Sequence, residues 1–370
     1  MAMTIASDTP TLHLIVVCCH AIYLGPPAGP GTGPGSTTGP ELETGLGSSS
    51  SSTPSFASDN EANWLIEPFQ KGETGTYIAH NEAGVRELAT AVAKGEDALL
   101  VFSGGATKLD KTGKSEGEGY LDVAIERNFF GLETSPPTLR RRMFVDRFAT
   151  DSYQNILCSI IQFPHFVREL LEREASHRNL GSGSKPNVSV KPETPSASAS
   201  SVSSSTASAS ASASLVSELK SNTNISATTT PFFPTKLTIV SHDFKRSRFL
   251  NLHLPAIHWP SDKETETQTR TQTRTHFIGI NPPFDDVKMA EIETGDRLRG
   301  YGAWEKDLYG AGALLAGKRK TRGWQEERFR REVLGQTQLS AELKVQIEKM
   351  LAWKGGENGT DICPAPMPWE

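Results

Sequence analysis

The chain has little of what would mark it for export, for a membrane or for nucleic acid. No lysine or arginine precedes Lys71, so the basic flank of a signal peptide is missing, and the apolar run Leu12 to Leu24 is too short to span a bilayer. Cysteine is scarce. Cys18, Cys19, Cys158 and Cys363 include one adjacent pair and no Cys-x-x-Cys spacing, which argues against a disulfide framework and a zinc site and fits a reducing compartment. Positive charge is short as well: 38 Lys+Arg stand against 43 Asp+Glu, without the basic footprint of a DNA-binding protein. The sequence reads as a soluble, cytoplasmic protein with no membrane span and no DNA partner. No His or Asp spacing demands a metal.

Glycine and proline are plentiful but segregated. Residues 26–58 hold 7 Gly and 6 Pro and run into serines, with too little apolar surface to offset the entropy of ordering. Residues 176–230 are dominated by Ser, Ala and Thr and contain no aromatic residue, and residues 262–275 repeat Thr, Glu, Gln and Arg. Setting these aside as disordered, low-complexity inserts leaves about 268 residues, enough for one large domain and too few for three. That domain spans 1–25, 59–175 and 231–300, and a basic, helical C-terminal extension covers 301–370.

Between the inserts, short apolar runs end in small or polar residues and lead into amphipathic stretches, the pattern of an α/β fold with buried parallel strands. Leu12 to Cys18, Ala98 to Phe102, Arg142 to Val145, Lys236 to Val240 and His276 to Ile280 read as five strands. Val85, Leu88, Ala89 and Val92 lie at helical spacing before Gly95, and a helix carrying Ile156, Ile160 and Ile161 begins near Asp151. In an open parallel sheet ligands bind beyond the carboxyl ends of the strands, which directs attention to four junctions.

Ser103-Gly104-Gly105 suits backbone amides approaching an anion, with Lys108 as counter-charge, although an ordinary tight turn needs the same glycines. His242 to Arg248 places a histidine, an acid and the cations Lys245, Arg246 and Arg248 at a helix start, where cations oppose the dipole and therefore point to an anionic ligand. The plainer alternative pairs Arg246 with Asp243 on a solvated face. Asp146 follows a strand and is placed to accept from a ligand hydroxyl, whereas Asp151 has the form of a helix N-cap. His20 and His242 end different strands and are candidate proton carriers, with Asp146 as the third catalytic candidate. Cys18 and Cys19 read as packing residues. Gly317 to Arg331 carries seven cations against two acids and reads as a helix lending cations to the cleft, while Ser340 to Trp353 reads as a helix packing on the sheet.

These segments carry a resemblance. Leu100 to Gly105, Glu116 to Tyr120, Asp146 to Asn155 and Val240 to Arg248, in that order, resemble the DUF 218 domain family in its soluble fungal branch. The resemblance implies a Rossmann-like, three-layer αβα domain with a mostly parallel sheet. It also implies an anionic or nucleotide-like small molecule at the strand ends and S-adenosylmethionine as a possible cofactor. The family's residues fall on Ser103, Gly104, Gly105, Glu116, Asp146, Asp151, Tyr153, Asn155, His242 and Arg246. Cys18-Cys19-His20-Ala21 departs from the glycine-rich turn of many bacterial members, and their membrane anchor is missing. Two functions follow as expectations: a hydrolase or transferase acting on a phosphorylated or nucleotide-type molecule, or a non-catalytic ligand-binding scaffold with a phosphorylation-controlled Ser-rich arm.

Overall fold

In the computed structural model the described residues are 12–26, 55–133, 138–181, 233–260, 274–336 and 339–370, the side chains of 177–181 excepted. Most of the three inserts lies outside them. In chain order the elements are β1 (Leu12–Cys18), the two-residue strands β2 (Ile22–Tyr23) and β3 (Trp64–Leu65), α1 (Thr74–Ala93), β4 (Asp97–Ser103), α2 (Glu116–Glu126), β5 (Met143–Asp146), α3 (Ser152–Gly181) and β6 (Lys236–Ser241). A helical run over 243–256, here α4, follows, then β7 (Thr275–Gly279), α5 (Asp286–Asp296), α6 (Ala313–Thr321) and α7 (Ala341–Ala352).

Because the five long apolar runs are covered on both faces, they pair as one parallel sheet in the order β5-β4-β1-β6-β7. Cys18 pairs with Ser103, Ser103 with Asp146, and Val17 with Val240, so the strand ends fall level. Side chains alternate between the faces. Leu14, Val16, Leu99, Val101, Leu237 and Ile239 meet α3 and α4, while Ile15, Val17, Leu100, Phe102 and Val240 meet α1 and α2. Each fully buried aliphatic side chain in this sandwich contributes roughly 1.5–3 kcal/mol. The result is the expected three-layer, Rossmann-like α/β fold.

Several features differ from the sequence reading. Helix α3 continues to Gly181, so residues 176–181 are helical rather than insert, and β7 already begins at Thr275. The antiparallel β2–β3 pair was not anticipated, because two residues carry no periodicity. Residues 301–370 are no appendage: Trp304, Tyr309, Phe329, Val333, Ile347 and Met350 belong to the same apolar cluster as β1 and β6. Helix α7 meets α3, with Met350 receiving the Tyr153 hydroxyl and Leu351 lining a small pocket with Leu157 and Cys158.

The chain runs outward from β1 through β4 to β5, returns to β6 beside β1, and goes out to β7. The reversal places the switch point between β1 and β6, where α/β sheets bind ligands.

Candidate functional site

A cleft of about 580 Å³ opens at these strand ends. Its floor comes from Cys19, His20 and Ala21 after β1 and from Lys245, Arg248 and Phe249 of α4. Glu116 of α2 and Thr107 line a second side, Ala149 to Ser152 and Asn155 a third, and Arg299, Lys318, Thr321 and Arg322 a fourth. Phe69, 73% exposed, stands at the rim.

Positive charge dominates. Burial, then Arg248, lower the Lys245 ammonium to about 7, and Arg322 pushes the same way. Burial lowers Arg248 to about 10, with Arg322 adding to the effect. Burial likewise lowers Lys318, followed by Arg322, Arg248 and Arg299. These cations repel one another across one cavity. Arg248 is ion-paired with Asp296, and Arg322 donates to the Thr150 carbonyl at 2.9 Å. Glu116, which accepts from the Thr107 hydroxyl at 2.7 Å, is the converse case: burial pushes its carboxyl up to about 7 against the pull of Thr107, Arg322, Lys245 and Lys108. Glu116 and Lys245 thus both change charge near neutral pH, which suits a proton donor and acceptor.

Of the residues singled out from the sequence, His20, Lys108, Glu116, Asp151, Asn155, Lys245 and Arg248 line the cleft. The others do not. Asp146 is fully buried beneath it, accepting from the Ser103 hydroxyl at 2.7 Å, Gln162 at 2.9 Å and the Phe148 amide at 2.9 Å, so it anchors loops instead of meeting a ligand. Ser103 is buried with it and bonded to Asn155. The Gly104 and Gly105 amides are already committed to the Asp146 and Ala149 carbonyls, at 3.0 and 2.6 Å, and no helix starts there. Those glycines serve close packing, since a Cβ on Gly104 would stand 2.9 Å from that of Cys19 and 2.8 Å from that of Glu116. Arg246 is half-exposed and paired with Asp243 at 2.6 Å, the plainer alternative, and Tyr153 faces α7. Asp151 caps α3 through the Gln154 amide and holds Arg319, and Lys108 is paired with Glu67.

His20 and His242 do converge. Their rings lie 4.4 Å apart, but only His20 reaches the cleft; His242, 2% exposed, sits behind it. His80 of α1 completes the cluster, edge-on at 4.9 Å from His242, and its Nε2 donates to the Ile280 carbonyl, 2.9 Å away. Burial holds all three well below the usual imidazole range. Sequence reasoning passed over His80, and over Glu73, whose carboxylate stands 3.4 Å from His242. The one available signal was Tyr77, His80 and Asn81, polar groups on the face that α1 buries. Cys19 lines the cleft, yet burial, then Glu116, raise its thiol far above the nucleophilic range.

No family model matches this chain, and no curated protein or solved structure does either. S-adenosylmethionine fits these residues poorly: its sulfonium is a cation, and it would enter a cleft where cations already repel one another. Among the described residues, no group of three or more His, Cys, Asp or Glu could hold a metal ion, and no helix is long and apolar enough to cross a membrane.

Proposed function

We propose that the strand-end cleft binds a phosphorylated or nucleotide-type small molecule and that the protein is a hydrolase or transferase acting on it. The observation that carries this reading is the set of mutually repelling cations, Lys245, Arg248, Arg299, Lys318 and Arg322, gathered from two distant parts of the chain onto one cavity. Such a cluster destabilises the empty fold, and a polyanion relieves the repulsion. Arginine's planar fork suits phosphate in particular. Glu116, with its carboxyl near 7, and Lys245 are the groups that carry protons, with His20 neutral beside them. The exposed Phe69 ring at the rim suits a stacked base. The motif order resembling the DUF 218 domain family supports the same reading, and the buried free thiols support a cytoplasmic setting.

The scaffold alternative rests on a Ser-rich arm that lies, beyond Gly181, outside the described residues. Thermal melting in phosphate and nucleotides, against chloride at matched ionic strength, tests the proposal: the midpoint rises with ligand concentration if the cleft binds anions. An unchanged midpoint at millimolar ligand refutes it.

A further inference from the structure

We propose that Lys245 is an amine nucleophile that forms an imine with the aldehyde or ketone group of a phosphorylated substrate in the strand-end cleft. This rests on the reading of the cleft as a phosphate-binding site and adds the group that reacts. Lys245 sits in the first turn after β6, at the switch point, and lines the cavity. Its Nζ stands 3.4 Å from His20 Nδ1 and 5.5 Å from the centre of the Phe244 ring. Among the described residues no carboxylate lies within ion-pairing distance of it, whereas Lys108, Lys114 and Lys236 are paired with Glu67, Asp122 and Glu96. A buried ammonium kept for its charge needs a counter-ion. This one faces an imidazole and further cations, the setting that releases the lone pair of an amine.

Every neighbouring element contributes to that setting. Arg248 on the same helical run and Arg322 from the C-terminal segment favour the free amine, and Glu73 at the start of α1 and Cys18 of β1 oppose it, with burial outweighing all four. His20 from the end of β1 and His242 from the end of β6 are both neutral. With its ammonium lowered to about 7, Lys245 holds far more free amine at neutral pH than the roughly 0.03% of a lysine of ordinary pKa.

The chemistry balances within the cleft. The Nζ lone pair forms a bond to the carbonyl carbon as nitrogen loses one proton and the oxygen takes one, giving a carbinolamine; a second proton on that oxygen lets it leave as water while the nitrogen lone pair forms the C=N bond and nitrogen releases its second proton. Amine and carbonyl become imine and water, with no oxidant or further reactant. Glu116 lines the same cavity and feels the charge of Lys245, so it is the group to deliver and retake the proton. Arg248, Lys318 and Arg322 hold the phosphate.

Pyridoxal 5′-phosphate, an aldehyde bearing a phosphate, is the probe. The full-length protein is incubated with it at pH 7.5, reduced with borohydride and mapped by peptide mass spectrometry, while phosphate-dependent melting is recorded on the same sample. The expected result is one phosphopyridoxyl group on Lys245. Its yield falls roughly tenfold in excess inorganic phosphate or when pyridoxal replaces the phosphate ester, as expected for loss of one charge-assisted contact, and Lys245→Arg abolishes it. Label spread over surface lysines with Lys245 untouched overturns the proposal; if phosphate still raises the midpoint, the anion reading survives alone. Label on Lys245 that phosphate neither competes for nor accompanies with a melting shift overturns the proposal as stated, together with that reading.

Discussion

Arg319 and Asp151, 168 residues apart in sequence, form an ion pair of 2.6 Å with side chains only 13% and 12% exposed. Asp151 also accepts from the Gln154 amide at the start of α3, and Arg319 donates to the Tyr309 carbonyl at 2.7 Å. The pair fastens the C-terminal segment to the β5–α3 loop. That contact sets Lys318 and Arg322, its neighbours on and just after α6, against the cleft.

Arg319→Ala leaves Asp151 buried without its partner, and breaking a buried pair in this way costs about 3–5 kcal/mol. Asp151→Asn keeps an acceptor for the Gln154 amide and loses less. Urea denaturation ranks the two; a loss under about 0.5 kcal/mol for Arg319→Ala, the level of an ordinary surface change, removes the fastening role.

The histidine cluster sets a lower pH limit. His20, His80 and His242 are lowered below 6.5 in the folded state, chiefly by burial, so the unfolded chain binds their protons more readily. The histidine contribution to stability is therefore full above about pH 6.5 and drains as pH falls, by up to about 1.4 kcal/mol per pH unit for each histidine. His13, lowered to about 4 by burial and then Lys236, has the same sign. The melting midpoint should drop steeply from pH 7 toward 5.5, less steeply in His80→Gln; a level midpoint over that range contradicts neutral burial.

Glu116 acts in the opposite direction. With its carboxyl raised from 4.5 to about 7, the folded state binds its proton more tightly, so ionisation costs stability as pH rises between those values and the full cost is present above 7. Glu116→Gln keeps an acceptor for Thr107 and removes the charge. It should melt higher than the parent at pH 8 and level with it at pH 5; the reverse order would show that the neighbouring cations hold this carboxylate ionised.

Gly104→Ala forces a Cβ against Glu116 and Cys19, and overpacking of this kind costs about 1–3 kcal/mol. A substitution tolerated without loss in chemical denaturation would return these glycines to a ligand-facing role.

The five strands were legible because a strand covered on both faces must be apolar throughout, and β1 was read with its own bounds, Leu12–Cys18. Lys245 and Arg248 were legible because cations at a helix start oppose its dipole. Gly104 and Gly105 misled: glycine records a close approach, and the sequence does not say whether a ligand or Cys19 makes it. Asp146 misled similarly, since strand-end carboxylates anchor loops as readily as they bind ligands. His80 and the β2–β3 pair were hidden, the first inside an amphipathic helix and the second by its brevity.

The central claim is that the cleft cations bind a phosphate-bearing molecule. Calorimetric titration of ATP into the parent, Arg322→Ala and Arg328→Ala proteins at low salt tests it most directly, because Arg328 lies outside the cleft, paired with Glu332. The account predicts binding to the parent and to Arg328→Ala alike, weakened roughly 10- to 150-fold in Arg322→Ala, the range for one charged hydrogen bond. No binding, or equal affinity in all three proteins, would contradict it.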